Sequence, residues 1–442
     1  MKSVIHRDEG AGGNRVSFYE FVLLAGVVTA LTVGAACVYP IWDDGRLMFL
    51  ITESGGGAIW TNFGDRPLVA LFFTFLLDHR LFLPIGLLFH WITWIGMGLV
   101  TMRFWRLMFP AYSRFALLPA LLSVAPILCK VQLVILTIVF VVLLGPLLIF
   151  LAIFMLLSEQ PSLWRKIVID SVALALIALA ILISQYAVPT AAVAFVLFAA
   201  KAIAGRPERK RESLIMAGLT AVCALSSYVA FCWLTESTVS PPYRPSFALQ
   251  SFSWKIKVVP FRLLSGIWRG AVGGILESLG SVTLNSKLTL LSFVCGAVLA
   301  GLVALAIYKR GNVESTTLNH NRFSVITLLT ATALALMPVL LMDRTLDLRW
   351  DSRFWLPLLP VLSSLTVFIL LYVVRKRLWI MVPVLCGFLA GYWTSFEIVS
   401  ALHNREPTHI GSIEIEPQFS VMQARLSDLQ VCGKVGFMRR NF

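Results

Sequence analysis

The chain concentrates acidic and basic side chains in one short stretch between two apolar segments. This stretch reads WDDGRLMFLITESGGGAIWTNFGDRPL over residues 42–68, and its charged candidates are Asp43, Asp44, Arg46, Asp65 and Arg66. A carboxylate beside a substrate hydroxyl can act as a general base. A guanidinium binds phosphate oxygens through two parallel hydrogen bonds. These residue types therefore suit transfer of a group away from a phosphate leaving group.

The same pattern has a simpler interpretation. Asp43 and Asp44 follow directly after the first apolar segment. A carboxylate at a membrane edge is costly unless it is solvated, paired or functional. The acid pair could be a solvated helix end, with Arg46 and Arg66 as its ion-pair partners.

A second cluster of charges occurs late in the chain. The stretch DRTLDLRWDSRF at 343–354 places Asp351 and Arg353 immediately before an apolar segment. The Arg353 guanidinium is expected at the depth of lipid phosphates, where it could bind a phosphate group. The alternative is a loop held by salt bridges among its own charges.

Composition places these clusters in a membrane protein. The 442 residues are 58% hydrophobic, and apolar runs near 20 residues in length recur from end to end. Such runs predict an all-α, polytopic membrane protein, because each span must satisfy its backbone hydrogen bonds as a helix. The net charge of +14 is read as a topology signal and not as a nucleic-acid surface. Seven scattered cysteines, with no CxxC pair and no HExxH motif, suggest neither a disulfide framework nor a zinc site.

Eleven spans are predicted, with interfacial or re-entrant helices on the outer face. They lie near 19–40, 81–102, 115–128, 131–157, 167–184, 186–200, 213–234, 286–308, 323–342, 355–373 and 379–399. Five short basic loops, at 103–114, 164–166, 201–211, 308–310 and 375–377, predict a cytoplasmic N-terminus.

The segments predicted on the outer face are then 41–80, 235–285, 343–354 and the tail. The apolar run 67–77 is too short to span and is expected to lie in the interface. Residues 1–400 form one transmembrane domain, and 401–442 form a small periplasmic tail.

The combination of DDGR at 43–46 with GDRPL at 64–68 resembles the GT-C superfamily of membrane glycosyltransferases. More narrowly, it looks like the bacterial Gtr-type glucosyltransferases that modify O-antigen. The resemblance implies a bacterial inner-membrane enzyme that moves glucose or another hexose from a polyprenyl-phosphate donor to a periplasmic glycan or lipid-linked acceptor. It also implies a single inverting displacement and no nucleic-acid partner.

The resemblance assigns roles to the charged residues. Asp44 or Asp43 would be the base, and Arg46 and Arg66 would bind phosphate or support the site. Asp65 would hold Arg66 or bind a sugar hydroxyl. The resemblance leaves the cofactor open, because some members of the superfamily use a divalent cation and others do not. Asp43, Asp44 and Asp65 could bind Mg²⁺ or Mn²⁺.

Two further basic residues are candidates for substrate binding. Arg262 belongs to SFSWKIKVVPFRLLSGIWRG at 251–270, where basic and aromatic residues recur every seven positions. This composition is typical of an interfacial helix, serving either as an anchor to membrane lipids or as a lid over the donor. Lys130 lies between two predicted spans on the outer side.

Two other classes of protein remain open. An O-antigen polymerase or ligase would use the large outer loop 235–285, with Arg244, Arg262 and Arg269, in place of an acid pair in the first loop. A flippase or other transporter of lipid-linked sugars should show charges buried within spans and broken helices in paired positions.

Overall fold

The computed structural model describes the helical part of the chain. It covers residues 16–38, 66–79, 81–126, 137–158, 162–204, 207–236, 282–308, 322–341, 356–374 and 379–403, together with 47, 59, 60, 63, 133 and 135. Regular structure within these residues is helical, with no strand. The predicted all-α class is therefore confirmed for the described part of the chain.

Twelve α-helices follow one another in these residues. They are α1 (Phe18–Val38), α2 (Pro67–Asp78), α3 (Phe82–Met108), α4 (Leu117–Val124), α5 (Leu144–Leu157), α6 (Leu163–Ile183), α7 (Val188–Ala204), α8 (Pro207–Glu236), α9 (Val282–Tyr308), α10 (Arg322–Leu341), α11 (Leu359–Val373) and α12 (Met381–His403). Short 3₁₀ segments occupy Pro110–Phe115, Gln185–Ala187 and Leu356–Leu358, and a π-helical turn at Val139–Leu143 leads into α5.

Nine helical stretches in the described residues are long and apolar enough to cross a membrane. They are Phe18–Val38, Leu83–Met108, Val139–Leu157, Leu163–Ile183, Gln185–Ile203, Lys210–Leu234, Leu290–Tyr308, Leu356–Val373 and Met381–Val399. The chain is therefore a multi-pass membrane protein. The stretch through α5 is 78% buried, whereas α6 is 22% buried. Thus α5 is central in the bundle, and α6 presents most of its surface outward.

Contacts between helix termini define one end of the bundle. The Ser324 hydroxyl at the start of α10 donates to the Met108 carbonyl at the end of α3, 2.7 Å away. The Phe368 ring, in the last part of α11, stacks on Phe109 with centroids 4.6 Å apart. We call this side the Arg106 end, after the arginine in the last turn of α3.

The π-helical turn marks the opposite end. Its Phe140 ring lies 4.9 Å from Phe72 in α2 and 5.1 Å from Phe89 in the first third of α3. Farther along α5, Phe150 contacts Phe104 near the close of α3. Helices α3 and α5 are therefore oriented so that α5 runs from the second end toward the Arg106 end. We call the second end the Arg66 end.

The predicted span at 115–128 is not a single helix. Helix α4 has eight residues, about 12 Å at 1.5 Å per residue. It stops at Ala125, whose backbone is extended (φ −71°, ψ 141°), because a residue before proline disfavours the helical region. The chain nevertheless changes ends here, since Phe115 packs beside Trp379 at the Arg106 end whereas Phe140 lies at the other.

Several other predicted boundaries shift. Helix α3 continues to Met108 and a 3₁₀ segment follows at Pro110–Phe115, so nearly all of the predicted loop 103–114 is helical. The predicted loop 201–211 is largely divided between α7 and α8, and α9 starts at Val282. The run 67–77 does form a helix, α2, of 12 residues. Of the eleven predicted spans, nine are long apolar helices in the described part of the chain. The apolar part of α10, Phe323–Ala335, and the eight-residue α4 are shorter.

A buried ion pair joins α1 to α3. Arg106 Nη2 donates to Glu20 Oε2 over 2.9 Å, and the side chains are only 6% and 3% exposed. The same carboxylate oxygen accepts from the Ser17 N–H at 3.0 Å, while the Ser17 hydroxyl accepts from the Glu20 N–H at 3.3 Å. This reciprocal capping box holds the Glu20 side chain at the helix start, where it meets Arg106.

Replacing Arg106 with Met should destabilise the protein strongly. The change leaves the Glu20 carboxylate buried without its cation, a loss of about 3 kcal/mol. Lys166→Met is the matched control, because Lys166 pairs with Glu212 at a partly exposed position and should cost about 1 kcal/mol or less. Unfolding by sodium dodecyl sulfate in mixed micelles measures both changes. Equal losses in the free energy of unfolding would mean that the buried ion pair contributes no more to stability than the partly exposed one.

Helices α9 and α12 pack closely because small residues meet at their interface. A Cβ atom on Gly387 would lie 2.8 Å from the Ala300 Cα, and one on Gly391 would lie 2.8 Å from the Cys295 carbonyl oxygen. The two glycines stand four positions apart, so they form one groove along α12. Burial of large apolar side chains gains little in a membrane, because lipid is equally apolar. Small-residue grooves instead let two helices approach at the backbone and gain dispersion contacts.

Gly387→Ala should weaken this contact, because the new methyl group meets backbone that cannot rotate away. We expect a loss of about 1–3 kcal/mol in the free energy of unfolding. Gly301→Ala on the facing helix is the control, since nothing lies within 4 Å of the added methyl group. The control should be neutral or slightly stabilising. If the Gly387 variant unfolds at the wild-type detergent concentration, close packing at this groove is not a source of stability.

Candidate functional site

The structure describes one of the residues that the sequence analysis selected. Arg66 is described and lies at the start of α2. The other candidates lie outside the described residues: Asp43, Asp44, Arg46, Asp65, Lys130, Arg262, Asp351 and Arg353. Their roles stay predictions. Described residues do lie close in sequence to some of these candidates, and their contacts show which parts of the chain meet.

Local sequence explains where Arg66 lies. Its N–H donates to the Phe63 carbonyl over 2.8 Å, and its own carbonyl accepts from the Ala70 N–H over 2.9 Å. Pro67 follows as the first helical residue, a position where the missing proline N–H costs nothing and its fixed φ suits the helix. The sequence RPL therefore starts α2 and leaves the Arg66 side chain at the helix entrance.

The Arg66 side chain lies against an aromatic ring from a distant part of the chain. Its guanidinium carbon is 5.9 Å from the centroid of the Tyr186 ring. Tyr186 belongs to the 3₁₀ turn between α6 and α7. The buried Ser184 caps this turn: its hydroxyl accepts from the Tyr186 N–H at 3.3 Å, and its carbonyl accepts from the Ala187 N–H at 3.0 Å.

The same turn is pressed against the centre of the bundle. A Cβ atom on Gly145 in α5 would lie 3.0 Å from both the Ala180 carbonyl oxygen and the Ala187 Cβ. This close approach of α5 to the end of α6 leaves no space for the turn to shift inward. Tyr186 is therefore held by a capped turn on a packed base.

The helix that follows this turn contacts the 3₁₀ segment that comes after the second charged stretch of the sequence. The Thr190 hydroxyl, in the first turn of α7, donates to the Pro357 carbonyl over 3.2 Å. Pro357 stands four positions after Arg353 in the sequence. The contacts thus run from Arg66 to Tyr186 and, one helical turn later, to the segment that follows Arg353.

Helix α1 reaches the same end through polar contacts with α3. Thr32 Oγ1 and the buried His90 share a hydrogen bond of 2.9 Å, and the Trp91 indole N–H donates to Thr29 Oγ1 over 2.9 Å. In a membrane-spanning pair such bonds fix how one helix is rotated and aligned on the other. Helix α1 ends at Val38, five residues before the predicted base pair.

A buried acid that the sequence analysis overlooked lies in α12. Glu397 is 6% exposed and stands in the half of α12 that points toward the Arg66 end. It shares a helix face with Cys386, Ala390 and Trp393, all of them buried. An acid inside the apolar stretch 379–399 was the available signal, because an ionisable group within a span is costly unless it serves a purpose.

At the Arg106 end, Arg114 lies between two aromatic rings. The Arg114 guanidinium lies 4.8 Å from the Trp379 ring and 4.7 Å from the Phe115 ring. Burial lowers the pKa of Arg114 from its usual value, but a guanidinium still stays protonated at neutral pH. A cation set between aromatic rings beside apolar helices is typical of a membrane-interface anchor.

An apolar groove of about 380 Å³ lies between α1, α9 and α12. Its lining includes Gly26, Leu299 and Ile398, with Thr394 and Ser395 as polar members. None of its lining residues belongs to α2 or to the turn that carries Tyr186. A groove without a charged group suits hydrocarbon and offers nothing to bind a phosphate.

No cluster of metal-binding side chains occurs among the described residues. A group of three or more His, Cys, Asp or Glu side chains that could hold an ion is absent from this part of the chain. The three acids that could bind Mg²⁺ or Mn²⁺ lie outside it, so a divalent cation stays a prediction.

Comparison with known proteins identifies no relative. No protein-family model matches the chain, and neither the curated proteins nor the solved structures contain a match. The case for function therefore depends on the residues and on their arrangement.

Cysteine labelling should separate the two ends of the bundle. In a cysteine-free background, His79→Cys and Gln185→Cys should react with an impermeant thiol reagent from one side of the membrane, because both lie at the Arg66 end. Trp164→Cys and Tyr308→Cys, exposed at 74% and 68%, should react only from the other side. Labelling of His79→Cys and Trp164→Cys from the same side of intact spheroplasts would contradict the arrangement of helices described above.

Proposed function

We propose that the chain is an integral-membrane glycosyltransferase of the GT-C type that takes its sugar from a polyprenyl-phosphate donor. The observation that carries this proposal is the contact path from Arg66 through Tyr186 to the segment after Arg353. Two charged segments almost 300 positions apart in sequence have described neighbours on one wall of the bundle. The DDGR and GDRPL motifs supply the proposed chemistry, and the position of Arg66 at one end of the bundle supports a site there.

The residues support one displacement step. Asp44 or Asp43 takes the proton from the acceptor hydroxyl, and the acceptor oxygen forms a bond to the anomeric carbon. The bond from that carbon to the phosphate oxygen breaks, and its electron pair stays on the phosphate. Arg66 and Arg353 stabilise the resulting charge through charge-assisted hydrogen bonds. Inversion at the anomeric carbon follows from a single attack.

The bilayer explains why the site should lie at a helix end. A polyprenyl chain stays in the hydrocarbon region while its phosphate stays at the interface with water. With the basic loops in the cytoplasm, the Arg66 end faces the periplasm of a bacterial inner membrane. That face is where O-antigen or another lipid-linked glycan would be available as the acceptor.

A transporter of lipid-linked sugars is the second candidate, favoured by two observations. The passage through α4 is interrupted at Ala125, and Glu397 is an acid buried within a span. Both features are known from transport pathways. A transporter would move the donor across the bilayer without breaking its glycosyl bond, so the two proposals differ in the product.

The test is sugar transfer by the purified chain in liposomes loaded with a polyprenyl-phosphate hexose and a lipid-linked acceptor glycan. Asp43→Asn or Asp44→Asn should lower transfer by about a hundredfold or more while donor binding persists. Arg66→Ala and Arg353→Ala should each weaken donor binding by about tenfold to a hundredfold. Arg165→Ala, exposed at the Arg106 end, is the matched control and should change neither quantity.

Two outcomes would contradict the enzyme proposal. Normal transfer by the Asp43→Asn, Asp44→Asn double variant would remove the acid pair from catalysis. Donor that crosses the bilayer intact, with no transfer to any acceptor glycan, would favour the transporter.

A further inference from the structure

We infer that Tyr186 is a positioning residue that holds the Arg66 guanidinium in place for the phosphate of a lipid-linked sugar. The inference rests on the proposed function, because it names a further residue of that same site. Its evidence is separate, and consists of the contact between Arg66 and Tyr186 and of the turn that fixes the ring.

The contact itself suits a cation that must bind an anion. A guanidinium within about 6 Å of a tyrosine centroid is attracted by the negative face of the ring, and the observed distance is 5.9 Å. This attraction uses no N–H donor of Arg66. The ring can therefore orient the guanidinium without occupying the donors that would bind a phosphate.

The ring is well suited to this task because its backbone is fixed on both sides. Ser184 caps the turn before Tyr186, and Gly145 lets α5 press against Ala187 directly after it. Because the backbone of the turn is already fixed, the contact with Arg66 requires little further loss of conformational entropy from Tyr186. Arg66 has a long, flexible side chain directly before α2, and a contact with a fixed ring reduces the number of rotamers it samples.

The position of Tyr186 differs from that of a residue that only fills the core, because its ring contacts both the core and Arg66. The ring is half-buried, with one part packed on the core and another beneath a cation. The turn it occupies also leads to Thr190, which donates to the Pro357 carbonyl. Tyr186 thus belongs to the element that relates Arg66 to the segment after Arg353, and removal of its ring should disturb phosphate binding more than folding.

The experiment measures binding of polyprenyl phosphate to the full-length protein in nanodiscs, with the neutral polyprenol of equal length as the reference ligand. Tyr186→Phe keeps the ring and should bind within about twofold of wild type. Tyr186→Leu should bind the phosphate lipid about three- to thirtyfold more weakly, the range expected for loss of a cation–π contact. Affinity for the neutral polyprenol should not change.

A double-mutant cycle ties the effect to Arg66. In the Arg66→Gln background, Tyr186→Leu should add less than a twofold further loss, because the interaction it removes is already absent. Tyr112→Leu is the matched control, since Tyr112 is another half-buried tyrosine but lies at the Arg106 end. It should lower the melting temperature without changing affinity for the phosphate lipid.

Each contrary result has a distinct meaning. Equal binding of polyprenyl phosphate and polyprenol by the wild-type protein would overturn the proposed donor class, and the role of Tyr186 with it. Wild-type affinity in Tyr186→Leu would overturn the role of Tyr186 and leave the donor class standing. An equal loss from Tyr186→Leu with and without Arg66 would show that the ring acts through general packing, which also overturns the inference.

Discussion

The exclusion of water from the hydrocarbon region governs most of this structure. A charge inside the bundle has no solvent shell, so it persists only where the protein supplies partners. Glu20 and Arg106 meet this condition through each other and through the Ser17 cap. The pair fixes the start of α1 against the end of α3. Helix α1 then runs to the Arg66 end, where Thr29 and Thr32 hold it against α3.

The same constraint changes how the helices hold together. Apolar side chains gain little by leaving lipid for protein, so close approach and polar contacts decide which helices pair. Gly387 and Gly391 allow α12 to approach the backbone of α9. Helices α1 and α3 are joined instead by the hydrogen bonds between Trp91 and Thr29 and between His90 and Thr32. These contacts make the bundle a rigid support, and the charged residues at its Arg66 end need such a support because phosphate recognition depends on orientation.

At the Arg66 end, one short turn relates elements that are far apart in sequence. The residues around Tyr186 contact α2 through Arg66 and the 3₁₀ segment before α11 through Thr190. A turn between two helices suits this task, because its backbone is fixed by both helices while the Tyr186 side chain stays half-exposed. The proposed donor site therefore depends on a turn whose own sequence, SQYA, contains no charge.

The sequence by itself determined the class of protein, the positions of most spans and the charged candidates, because apolar length and charge placement are local properties of the chain. It did not determine that α4 ends after eight residues, that Arg106 is buried, or that Glu397 is buried on one helix face with Cys386, Ala390 and Trp393. Nor did it reveal the groove of Gly387 and Gly391 or the contact between Tyr186 and Arg66, since the significance of a glycine pair or a lone tyrosine depends on neighbours that are distant in sequence. Only the tertiary structure decided which distant side chains meet, because pairing across a bundle depends on helix rotation and depth, and apolar periodicity leaves both of these open.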